Sequence, residues 1–96
     1  MISQQQKEIV LNHLKTLKPI KAVIFGSYAR GENKSDSDLD ILVYLDYSNR
    51  ISLLDLVGVE QDLSEALGIK VDLVTEKSMS PYILPYVRKE LCYILE

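Results

Sequence analysis

The alternation of apolar and polar positions divides the chain into helices and strands in turn. Ile9, Val10, Leu14 and Leu17 recur at helical spacing among polar residues, and Ser3 stands where an N-cap belongs, so the pattern predicts an amphipathic helix over 3–17 that Pro19 closes. Lys21-Ala22-Val23-Ile24-Phe25 is short, apolar and β-prone, and it runs directly into Gly26-Ser27. This predicts a buried strand ending in a tight turn. Tyr28 to Ser37 is polar, with Gly31 and Asn33 inside it, which allows one helical turn and then a loop. Asp38 to Leu45 predicts a second strand, with Leu39, Ile41, Val43 and Leu45 on one face and two carboxylates opening the other.

Further along, Leu53, Leu56, Leu63 and Leu67 share a helical face within 51–67, and Gly68 takes the C-cap position. Lys70 to Val74 is a third strand whose parity puts Val71 and Leu73 on one face and Asp72 on the other. A last helix is expected over 76–90, interrupted by Pro81 and Pro85, followed by a short extended tail at 91–95. Helices alternating with strands on this scale predict an α/β (α+β) domain: a small sheet with helices packed on one face and the carboxylates on the open one.

Length limits what this sheet can do. At 96 residues, a compact fold buries only about 60–70% of the surface its unfolded chain exposes, so residues 1–96 read as one domain with one modest core. A net charge of -3, from 11 basic and 14 acidic residues, gives no basic field for a phosphate backbone, and direct nucleic-acid binding is not expected. With one cysteine, Cys92, and one histidine, His13, far apart in sequence, a disulfide, a structural zinc site and a Cys-His catalytic pair are all excluded. His13 reads as a surface residue and Cys92 as a small apolar filler. The polar start and the short apolar runs predict a cytoplasmic protein with no membrane span.

The candidate chemistry lies between Gly26 and Asp40. A phosphate-binding P-loop fails, because Glu32 and Asn33 follow Gly31 where Lys and then Ser or Thr are required. An EF-hand starting at Asp36 fails as well, with Ile41 and Tyr47 in place of the required Gly and Glu. What remains is Asp38 and Asp40 at i and i+2 on a strand, with Cα atoms about 6.5–7 Å apart on one face, and Asp72 on a later strand. If that strand pairs beside theirs, Asp72 completes a triad. Three carboxylates so close resist joint ionisation unless a cation neutralises them, which suits one Mg²⁺ or two such ions about 4 Å apart. Gly26-Ser27 ends a strand where backbone N–H groups and a hydroxyl can meet a phosphate. Phosphate turn and metal triad together imply phosphoryl or nucleotidyl transfer.

Structural readings compete at several positions. Asp36 suits a turn, Lys34 a solvated loop, and Tyr82 and Tyr86 core packing. Arg30 can steady phosphates or pair with Asp36 or Glu32. A metal-dependent nuclease also uses clustered carboxylates, but the turn at Gly26-Ser27 and the lack of a basic groove weigh against it.

The string Gly26-Ser27-Tyr28-Ala29-Arg30-Gly31, with Ser37-Asp38-Leu39-Asp40 after it and Asp72 in Val71-Asp72-Leu73-Val74, resembles the signature of the DNA polymerase β-type nucleotidyltransferases. The short length points to their minimal subgroup. The resemblance implies a small mixed sheet of the polymerase β-type fold and ATP as the donor. It implies that Ser27 contacts nucleotide phosphates, that Asp38 and Asp40 bind Mg²⁺ and that Asp72 is the third acid of the catalytic, metal-binding set; Gly26 and Arg30 stand beside Ser27 as candidate nucleotide-binding residues. It further implies an antitoxin that transfers AMP to a tyrosine hydroxyl of a HEPN-domain RNase toxin. A different class of function, a module that neutralises the toxin merely by occupying it, is the alternative.

Overall fold

The computed structural model describes residues 3–32, 34–46, 48, 50–78 and 92–95, with the backbone alone at Arg30 and 92–95. The elements are α1 (Gln4–Leu14), a 3₁₀ turn (Lys15–Leu17), β1 (Lys21–Phe25), α2 (Ser27–Arg30), β2 (Leu39–Tyr44), α3 (Leu53–Leu67), β3 (Val71–Thr75), a second 3₁₀ turn (Glu76–Ser78) and β4 (Cys92–Leu95). Ser3 caps α1 as its position suggests: its hydroxyl accepts the Gln6 N–H while the Gln6 side chain accepts the Ser3 N–H. Ser52 and Asp55 form the same reciprocal pair at the start of α3. The expected helix over 3–17 is thus α1 with its last turn tightened to 3₁₀.

The four strands form one mixed sheet in the order β3-β2-β1-β4. β1 runs antiparallel to β2 and to β4, and β2 runs parallel to β3 with α3 as the crossover. The extended tail expected at the C-terminus is therefore a sheet strand, held by long-range pairing to Ala22, Val23 and Ile24. The helix expected over 76–90 opens as the 3₁₀ turn at Glu76–Ser78, and 79–90 lie outside the described residues, Tyr82 and Tyr86 among them.

Strand parity places the core. Ala22 and Ile24, Leu39, Ile41 and Val43, and Val71 and Leu73 face one side, where they pack with Val10, Leu14 and Leu17, Tyr28 and Leu63. Val23 and Leu42 are buried on the opposite side, in a small cluster with Phe25, Tyr44 and Val74. Two expectations need correcting. Leu53 does not share the buried face of α3: it stands 74% exposed at the first residue of the helix. Leu56 and Leu67 pack against the core as expected, beside fully buried Leu63. His13 is half-buried rather than on the surface, its Nδ1 2.8 Å from the Ile9 carbonyl one turn back.

β3 is an edge strand, and its outward N–H groups are covered by side chains. The Val71 N–H donates to Ser64 Oγ, the Leu73 N–H to Glu60 Oε2 at 2.7 Å, and the Thr75 N–H to Ser78 Oγ. Covering these donors protects an edge that would otherwise invite pairing with another chain.

Candidate active site

Everything at the site follows from one end of β2. The loop leading into it is pinned by reciprocal bonds, Lys34 N–H to Ser37 Oγ at 2.8 Å and Ser37 N–H to the Lys34 carbonyl at 3.1 Å, with exposed Asp36 at the turn between them. Asp38 then enters the strand. In β2, Asp40 is the register partner of Phe25 on one side and of Asp72 on the other. Adjacent strands lie about 4.8 Å apart, so the Asp40 and Asp72 carboxylates leave the sheet as side-by-side neighbours. Both belong to the face opposite the helical core, as period-two reasoning requires.

Across the sheet from Asp40, β1 ends at Phe25 and the chain turns at Gly26 with φ 75° and ψ -151°. This region of backbone space is open essentially to glycine alone. The requirement is also steric: a Cβ at residue 26 would overlap Asp40 Oδ2 and stand 3.3 Å from its Cγ. The Asp40 carboxylate therefore lies directly against the Gly26 Cα. Ser27 follows as the first residue of α2, a single turn anchored in the core by buried Tyr28 and closed by Gly31 in the left-handed conformation. The strand-ending turn and the strand-opening carboxylate thus come together from segments 14 residues apart in Gly26 and Asp40.

Asp38 is engaged in an ion pair. Its Oδ2 lies 3.8 Å from Lys70 Nζ, and the Leu39 N–H to Lys70 carbonyl bond of 2.8 Å fixes the two residues alongside one another. Sequence reasoning passed over Lys70; its even parity with Asp72 was the available signal. Among the described residues, no three acidic, histidine or cysteine side chains are gathered into a ready metal-binding group. The donor set is nevertheless that of a hard divalent cation, carboxylate oxygens alone, and the Gly26 turn leaves the Asp40 carboxylate room that any side chain there would take. The residues present fit Mg²⁺. Arg30 closes α2 through its backbone; its side chain lies outside what the structure describes.

Comparisons with known proteins agree with this architecture. The model of a family described as the nucleotidyltransferase domain matches residues 4–94. A Methanocaldococcus jannaschii protein, assigned provisionally as a protein adenylyltransferase, is 50% identical over 93 residues, covering 92% of this chain and 93% of its own. Protein adenylyltransferase MntA of Thermococcus cleftensis is 39% identical over 99 residues, covering 98% of each. Among solved structures, a chain of a toxin–antitoxin complex with AMP-PNP superposes with a TM-score of 0.79 at 26% identity, over 92% of this chain and 71% of that one. The family match over nearly the whole chain and relatives at 39% and 50% identity, added to a glycine-serine turn set against paired strand carboxylates, carry one conclusion: the chain belongs to the nucleotidyltransferase domain family and is a small nucleotidyltransferase.

Proposed function

We propose that this chain transfers AMP from ATP to a protein hydroxyl, a tyrosine of a cognate HEPN-domain RNase toxin, and so acts as its cytoplasmic antitoxin. The observation that carries the reading is the position of Asp40, in register with Asp72 and directly against Gly26, which sets the glycine-serine turn and the carboxylates side by side. The names of the relatives, protein adenylyltransferases among them, support the choice of AMP. AMP-PNP in the toxin–antitoxin structure supports an adenine nucleotide as donor.

In this reading the whole chain is one nucleotidyltransferase domain. Gly26 and Ser27 hold the triphosphate through backbone N–H groups and the serine hydroxyl, with Arg30 beside them. Asp38, Asp40 and Asp72 would hold Mg²⁺, which when bound neutralises phosphate charge and lowers the pKa of a coordinated hydroxyl. The acceptor oxygen forms a bond to the α-phosphorus as the bond from that phosphorus to the bridging oxygen breaks. Pyrophosphate departs, and the hydroxyl proton passes to Asp72. Asp38 gives up its Lys70 partner to take part, an exchange made inexpensive by the exposure of both groups (78% for Lys70 and 44% for Asp38).

The test is transfer of label to the purified toxin from ATP carrying ³²P at either the α or the γ position, with wild type and the Asp38→Asn/Asp40→Asn pair. The reading expects α label retained on the toxin, γ label lost, and neither with the double variant. Retention of the γ label would make the enzyme a kinase instead. Loss of toxin activity with no label of either kind would favour neutralisation by binding alone.

A further inference from the structure

The outward side of α3 carries three features that its own fold does not explain. Gly58 sits in the middle of this 15-residue helix, where glycine is the poorest helix former after proline, yet a Cβ there would meet nothing within 4 Å. Intramolecular packing therefore gives no reason for a glycine. Around it, Leu54 is 82% exposed and Val57 is exposed too, and Leu54 lines a depression of about 270 Å³ together with Leu17, Gly58 and Val59. Finally, Asp55, Glu60, Asp62 and Glu65 are all acidic and no Lys or Arg lies on the helix. Glu60 is spent on the β3 edge and Asp55 accepts the Ser52 N–H of the helix cap, while Asp62 and Glu65, like Asp55, are exposed beside the apolar patch.

We propose that this face of α3 docks a helix of the partner protein, one that presents Lys or Arg around an apolar anchor. The missing side chain at Gly58 lets the anchor come close to the α3 backbone, and Leu54 and Val57 flank it. A second copy of this chain is disfavoured by charge, since a two-fold contact would set this face against itself and α3 carries no Lys or Arg to complement its acids. A basic helix complements the same rim. The helices pack on the sheet face opposite Asp40 and Asp72, so docking here leaves the reaction face open. The partner itself is the one named under the proposed function, and the inference rests on that reading.

The experiment is titration calorimetry of the full chain against the purified HEPN-domain partner, using wild type, Gly58→Leu and Asp62→Lys/Glu65→Lys. Leucine favours helix and meets open space in the isolated chain, so Gly58→Leu is expected to keep or raise thermal stability and to bind ATP as wild type does. Its dissociation constant for the partner is expected to rise at least about tenfold. The charge-reversal pair should bind more weakly and show a flatter dependence on salt. Partner binding within about twofold of wild type by both variants would overturn the docking surface while leaving the transferase reading intact. A wild-type dimer abolished by Gly58→Leu would overturn it in favour of a second copy. Failure of the wild-type chain to bind the partner at all would sink the partner reading, and this surface with it.

Discussion

Replacing Gly26 by alanine probes the contact on which the site is built. The backbone at 26, with φ 75° and ψ -151°, costs a side-chain-bearing residue about 1–3 kcal/mol. In a domain of this size that lowers Tm by about 4–8 °C per kcal/mol. Gly31→Ala is the control, because Gly31 also has positive φ (70°) but a Cβ there would meet nothing within 4 Å. Its strain is about 1–2 kcal/mol, so the two variants lose comparable stability. They differ at Asp40, since only the Cβ at 26 overlaps its Oδ2 and forces the carboxylate or the turn to move. A displacement on the order of 1 Å at a reacting centre costs about 100-fold in rate. Transfer is measured well below both melting temperatures, so that the fraction folded does not enter. Gly26→Ala is expected to lose about two orders of magnitude and Gly31→Ala less than about threefold. Equal losses would assign the effect to loop strain, and near-wild-type transfer by Gly26→Ala would refute the role given to the contact.

Other expectations concern the frame around the site. Glu60→Ala leaves the part-buried Leu73 N–H without its acceptor and should cost about 1–3 kcal/mol, read as a lower urea midpoint at unchanged slope; no change would show that water replaces the carboxylate. Ser52→Ala removes the α3 cap and should cost about 1 kcal/mol by the same assay, leaving transfer intact. Asp46 is held below its ordinary carboxylate value of 3.8, first by the Ser48 hydroxyl and then by the Ser48 N–H. Because the folded value is depressed, its contribution is present above the unfolded value and disappears as pH falls through the folded one. Asp46→Asn should therefore flatten stability against pH below about 4 while leaving it unchanged in shape near neutrality. An unaltered acid limb would contradict this.

Local pattern carried most of the fold, because helical spacing, strand parity and cap residues report on neighbours within a few positions. The carboxylate face was legible for that reason: Asp38, Asp40 and Asp72 each sit out of phase with an apolar set whose burial decides the side. Contacts between distant segments were not legible. Nothing near Cys92 announces that its strand pairs with β1, and nothing near Glu60 or Ser64 announces that they cover the β3 edge. Gly26 read as a turn residue, but the stronger reason for it, the Asp40 carboxylate against its Cα, required the register of β1 on β2. Leu53 went wrong because periodicity cannot tell where along a helix the core stops. Lys70 was missed because a lone lysine in an edge segment ordinarily signals only solvent.

The central claim, that three sheet-face carboxylates direct AMP onto a partner protein, is tested most directly by intact mass. Partner toxin is incubated with ATP and Mg²⁺ alongside wild type or the Asp38→Asn/Asp40→Asn pair, and its RNase activity is followed in the same samples. The account expects the toxin to gain the mass of one or more AMP units and lose activity with the wild type only. A toxin silenced at unchanged mass, or modified equally by the double variant, would contradict it.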